Sequence, residues 1–96
     1  MRISHTGEIE GSRILYAIGR VTAASAWHAS GTEPVQGGDW RLVALQRLMV
    51  QAADCDADAI IEVDYEVDGV KVTDLADVPV ERVCAKGIAV KLARAA

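Results

Sequence analysis

Two cysteines, Cys55 and Cys84, and two histidines, His5 and His28, are the side chains in this sequence best suited to soft-metal or thiol chemistry. Thiolate and imidazole hold such metals when they converge, often from short spacings. Here no two of them have ligand spacing, and no Cys-x-x-Cys occurs. Two reduced thiols serving as small buried groups is the plainer reading. Across an interface between copies the four could still converge. The sequence assigns no catalytic residue and no metal-ligand residue, implies no cofactor, and leaves any binding residues open.

Carboxylates are the second candidate chemistry. Half of the acidic residues fall between Ala52 and Gly69. Asp54, Asp56 and Asp58 have the 1, 3, 5 spacing of a calcium loop, but Ala59 stands where that loop needs Gly and Tyr65 where it needs Glu. A second register from Asp64 satisfies the Gly with Gly69 and fails at Leu75. Glu62, Asp64, Glu66 and Asp68 alternate with Ile61, Val63, Tyr65 and Val67, so a solvated strand face explains them. Ser4-His5-Thr6 is adjacent in sequence only, which does not make a nucleophile–base pair. Trp27 and Trp40 flank a loop and could line a small-molecule groove, although packing or an interface uses Trp equally well. Gly37-Gly38 lacks the Lys-Ser/Thr of a phosphate loop and the three spaced glycines of a dinucleotide fingerprint.

The elements that must position these residues follow from periodicity. Residues 3–11 read as a short edge strand and turn. Arg13 to Ala23 is a long strand. One face carries Ile14, Tyr16, Ile18, Arg20 and Thr22; the other carries Leu15, Ala17, Gly19, Val21 and Ala23. Gly19 marks a bulge or a close backbone approach. Residues 24–38 fit either a strand extension or a short helical turn, then a loop. A helix runs from Trp40 to Ala53 behind an Asp39 N-cap, with Leu42, Leu45, Leu48, Met49 and Ala52 inward and Arg41, Gln46, Arg47 and Gln51 outward. Val43 and Val50 lie off the main stripe. Ala59 to Asp68 is the second long strand, with register fixed by its clean alternation. Residues 69–79 connect, with room for a short strand at Val70–Val72. Val80 to Leu92 closes the sheet, interrupted by Gly87, and residues 93–96 fray.

Ninety-six residues with this apolar and charged content make one globular domain, 1–96. Phe is absent, and the apolar side chains are mostly Ala and Val. Each buries little area at roughly 25 cal/mol per Å². A lone domain of this kind is marginal, and oligomerisation remedies that. The apolar content of both faces of the first long strand points the same way. The net charge of −4 and the scattered basic residues argue against nucleic acid and anionic membranes as partners. No apolar run approaches a membrane span and no signal-peptide core precedes the first strand, so a cytoplasmic protein is expected. The fold class is α+β: a two-layer β-α-β-β subunit, one main helix on a small antiparallel or mixed sheet, with short edge strands.

Four segments resemble the YbjQ-like family of small bacterial proteins, described as heavy-metal-binding and otherwise uncharacterised. They are Ile9-Glu10-Gly11; Ile14 to Thr22 with its Gly19; Ala57-Asp58-Ala59-Ile60-Ile61 with Val63-Asp64-Tyr65-Glu66; and Gly87-Ile88-Ala89-Val90. The resemblance implies a dodecin-like subunit and a ring-shaped homo-oligomer, usually a pentamer, in which short extra strands join neighbours. Asp56 and Glu62 stand where that family frequently has Gly, and Ile88 where it has Thr. The segment between Trp27 and Trp40 is shorter than in that family, so a short helix there is lost or reduced. The expected function is a noncatalytic binding or scaffold protein, its partner a second copy of itself and its ligand a metal ion or small molecule at subunit interfaces. The alternatives are an enzyme whose site forms between subunits around His28 or His5, or a module that contacts another protein through residues 28–38.

Overall fold

A helix 15 residues long lies against a sheet whose two central strands are nearly as long in residues and about twice as long in space. The computed structural model describes residues 1–34, 38–71 and 79–93. In chain order the elements are β1 (Arg2–Ile3), β2 (Ile14–Ala24), β3 (His28–Ala29), α1 (Trp40–Asp54), β4 (Ala59–Lys71) and β5 (Pro79–Leu92). The sheet order is β1-β4-β5-β2, with β3 also paired to β5. Only β1 runs parallel to its neighbour; the other pairings are antiparallel. This is the mixed sheet with one covering helix that the pattern predicts. β4 includes Val70 and Lys71 as a continuation of the long strand; Val72 lies outside the described residues.

The helix forms where expected. The Asp39 carboxylate accepts from the Arg41 N–H and caps the first turn. At the other end the Ala57 N–H reaches the Ala52 carbonyl and the Asp56 N–H reaches Ala53, the double bond of a Schellman ending. Asp56 sits at its left-handed position, φ 62°. The inward stripe differs from the sequence reading at one position: Ala44, Leu48 and Ala52 are buried, Leu45 and Met49 pack beside them, and Leu42 faces solvent. Ala44 takes the inward place because small residues let the helix approach the sheet closely.

Strands β4 and β2 both bulge, and here the alternation read from the sequence is corrected. The β4–β5 register shifts between Ile61 and Asp64, with Glu62 left-handed at φ 52°. One extra residue flips the faces. Ile60 and Val63 therefore both lie under the helix, whereas Ile61 turns to the opposite face with Ala59. Strand β2 shifts between Ile14 and Tyr16 and again between Ala17 and Gly19. The expected bulge at Gly19 is present, but no neighbouring atom crowds it. Gly87 is the close approach: a Cβ there would stand 2.6 Å from Ile60 Cγ2 and 3.0 Å from the Ile61 carbonyl oxygen.

Two apolar clusters result. Val21, Ile60, Val63, Val83, Ala85 and Ala89 pack beneath the helix. On the other face Ala59, Ile61 and Val90 pack with Ile9, which the N-terminal segment folds over the sheet. That segment also runs along β4, where Thr6 and Ser4 carbonyls accept from the Glu62 and Val63 N–H groups. Part of the face expected to need a partner is thus covered by the chain itself.

Two predictions follow from the backbone. Gly87→Ala forces the new methyl into Ile60 and a carbonyl and should destabilise by about 1–3 kcal/mol in urea unfolding. Asp56→Gly and Glu62→Gly relieve left-handed strain and should each stabilise by about 1 kcal/mol in the same assay.

Candidate functional site

The structure separates the four candidate soft ligands. Cys55 is exposed at the helix C-terminus. His5 is exposed, and its Nδ1 meets the Val63 carbonyl at 3.0 Å, so it makes no pair with Ser4 or Thr6, whose hydroxyls bond to each other. His28 and Cys84 lie near one end of the sheet but on opposite faces, because β3 pairs His28 with Glu81 and alternation turns Cys84 the other way. Among the described residues no three His, Cys, Asp or Glu side chains are grouped to hold a metal ion. The described donor set of one chain does not fit a soft-metal centre.

His28 is built into a packing unit. Its ring stacks on Trp40, centroids 3.9 Å apart and planes 3° from parallel. Nδ1 lies 3.1 Å from the Ala26 carbonyl, to which it can only donate. Nε2 then faces Glu81 Oε1 at 3.6 Å, and the side chain is only 6% exposed. The Trp40 indole N–H donates to the Thr32 carbonyl. Together these contacts tie β3 and its loop to the start of the helix. Beside them, buried Ser25 exchanges two hydrogen bonds with Val83 through its N–H and its hydroxyl oxygen.

On the opposite face four side chains converge that the sequence reading did not join. Asp68 Oδ2 accepts from the Cys84 thiol at 3.2 Å and from Arg82 Nε at 3.3 Å. The Arg82 guanidinium lies 4.7 Å from the centre of the Trp27 ring. Trp27 and Trp40 therefore serve different faces and share no groove. The thiol bond and Arg82 hold the Asp68 carboxyl below its ordinary range. Burial, and then the bond to Asp68, push the Cys84 thiol up. A thiol kept protonated is a poor nucleophile and a poor metal ligand.

The acidic stretch is more engaged than a solvated face. Glu66 pairs with Lys86 at 3.0 Å, and Asp68 with Arg82. Asp64 accepts from the next backbone N–H. Asp58 accepts from the Leu92 N–H and lies 3.6 Å from Lys91. Asp56 is a helix ending. None of this forms a calcium loop.

Two grooves among the described residues stand open. One, about 460 Å³, is lined only by the N-terminal segment, including Arg2, Ser4, Thr6 and Glu8. Arg2 is committed there to Ser12 and the Glu10 carbonyl. The other, about 180 Å³, crosses three strands and is lined by Arg20, Thr22, Glu62, Lys86, Gly87 and Ile88 among others. Sequence reasoning missed both cross-strand groups because pairing register, not spacing along one strand, creates them.

Residues 35–93 match the model of a family described as "Putative heavy-metal-binding". That span holds the helix and both long central strands. No curated protein matches the chain. The crystal structure of a protein of unknown function of the DUF74 family, from Pediococcus pentosaceus, is similar over 97% of this chain and 98% of that one, with TM-score 0.59 and 20% identity. At that identity the likeness is one of fold.

Acid should act on the Asp68 cluster in a defined direction. Its folded carboxyl titrates below the unfolded value, so its contribution is present above about pH 4 and is lost as pH falls through the folded value. Asp68→Asn should lower stability at neutral pH and flatten that acid limb in denaturation curves. It should also speed alkylation of Cys84, which in the unaltered protein should trail exposed Cys55.

Proposed function

The chain belongs to the YbjQ-like family described as "Putative heavy-metal-binding", and from that membership we propose a noncatalytic binding or scaffold protein that works as a homo-oligomeric ring, most simply a pentamer, in the cytoplasm. The observation that carries this reading is a β-arm the helix does not cover. The helix spans about 22 Å, whereas β4 and β5 each run about 45 Å. The radius of gyration is 15.9 Å, against about 12.5 Å for a compact domain of this length. The accessible surface is 6471 Å², against about 5,300 Å² for a compact monomer of this mass. The excess is of the order of one partner's share of a stable interface.

The exposed side chains agree. Leu15, Tyr16 and Ile18 face solvent on β2, an edge strand, and Val67 does so on the arm. From Asp64 onward, no other described strand pairs with the outer edge of β4. Uncovered edges and apolar side chains are what a second copy would use. A metal ion or small ligand would be held where subunits meet, drawing on more than one chain.

The noncatalytic part rests on the commitments of the reactive groups. The sheltered His28 lies against Glu81, but the Trp40 stack and the Ala26 carbonyl occupy the ring. Cys84 is held protonated. Among the described residues no helix is long and apolar enough to cross a membrane.

Native mass spectrometry of protein purified without added metal, with light scattering, tests the reading. A closed multiple of the chain mass is expected, falling toward monomer in a Leu15→Lys, Val67→Lys double variant. A monomer for the unaltered chain overturns the assembly. If the intact assembly retains no metal and metal titration shows no saturable site, the ligand is not a metal.

A further inference from the structure

The groove across β2, β5 and β4 has a charge at each end and an apolar floor. Arg20 lies opposite Ile88, and Ile88 opposite Ile61, the residue before Glu62. Two strand spacings therefore put the Arg20 and Glu62 backbones about 10 Å apart. Neither side chain makes a hydrogen bond or ion pair among the described residues. Their neighbours differ: Glu66 holds Lys86, Asp68 holds Arg82, and Asp58 meets Lys91. Thr22 adds a hydroxyl with no hydrogen bond among the described residues, and the Lys86 ammonium is drawn to the β4 side by Glu66.

Glu62 is the more telling residue. It keeps a left-handed backbone that Gly would adopt without strain. Strain kept at one residue of a groove points to a use for its side chain.

From this geometry we propose that the groove holds a small zwitterion of the α-amino-acid class, its carboxylate against Arg20 and its ammonium against Glu62. A simple anion would leave Glu62 facing like charge. A simple cation would leave Arg20 facing like charge. A molecule with both groups neutralises both ends with charge-assisted hydrogen bonds. Ile88 and the bare Gly87 backbone form the floor on which a short aliphatic side chain rests. A volume of about 180 Å³ suits a small molecule of this kind. The groove lies within one chain, so the proposal does not depend on assembly.

Isothermal titration calorimetry with glycine, L-alanine and L-leucine, against acetate and ethylamine, tests it. At least one amino acid should saturate, and bind about tenfold or more tighter than either single-charge probe. Arg20→Gln and Glu62→Gln should each weaken that binding about tenfold or more, with unchanged circular dichroism. Glu62→Gly should lose binding while melting higher than the unaltered protein. The proposal is overturned if none of the three amino acids saturates, if acetate or ethylamine binds as tightly, or if both Gln variants bind unchanged.

Discussion

The close contact of Gly87 with the β4 bulge is the constraint on which the sheet depends. The bulge turns the backbone at Glu62, and this brings the Ile61 carbonyl and the Ile60 side chain onto the Gly87 Cα. Only a residue without a side chain fits beneath. The consequence reaches both cores. Before the bulge Ile60 faces the helix; after it Val63 does, although they are three positions apart. Without the shift, Val63 would leave the helix side and Asp64 would take its place. One inserted residue thus keeps the carboxylates of β4 away from the helix and matches them to Lys86 and Arg82 on β5.

The same two strands set the limits of the helix. Small inward residues, Ala44 and Ala52 on the helix and Ala85 and Ala89 on β5, allow a close approach, and each is fully buried. Such a core is thin, and the largest fully buried side chains are only Leu48, Ile60 and Val90. The polar ties at the helix start, His28 on Trp40 and Ser25 on Val83, hold the connection where the apolar core gives out. Beyond them the hairpin extends uncovered, its charges paired across the strands on one face. The arm is ordered by its ladder and its ion pairs more than by burial, which is what leaves its edge open for association.

Element type was legible in the sequence, and face was not. The 3.6 pattern and Asp39 located the helix to within one residue at its end. The alternation from Ala59 located β4. What alternation could not reveal was where it breaks. Ile61 reads as a partner of Val63 on any strict two-residue pattern, yet the two lie on opposite faces. The clue was present only in the resemblance, which marks 56 and 62 as frequent Gly positions. They are the two described non-Gly residues with positive φ. Leu42 shows the matching error in the helix, where the sheet chose the smaller Ala44. The site residues were harder still. Cys84, Asp68, Arg82 and Trp27 converge only once β4–β5 pairing and the path of the chain after β2 are known, and the four isolated Cys and His positions gave no sign of it.

Seen from the strands, the acidic stretch divides by role. Asp56 ends the helix, Asp58 ties the start of β4 to the end of β5, Asp64 bonds to its own strand, and Glu66 and Asp68 hold the arm's cations. Asp58, Asp64, Glu66 and Asp68 each have a structural use that explains their place without a ligand. Glu62 does not. Its backbone conformation is one that Gly satisfies better, its carboxylate has no described partner, and the groove beside it ends in a guanidinium that has none either. A fold under selection for stability alone would place Gly at this bulge. Among the carboxylates of β4, Glu62 is therefore the one where a binding role has most to explain.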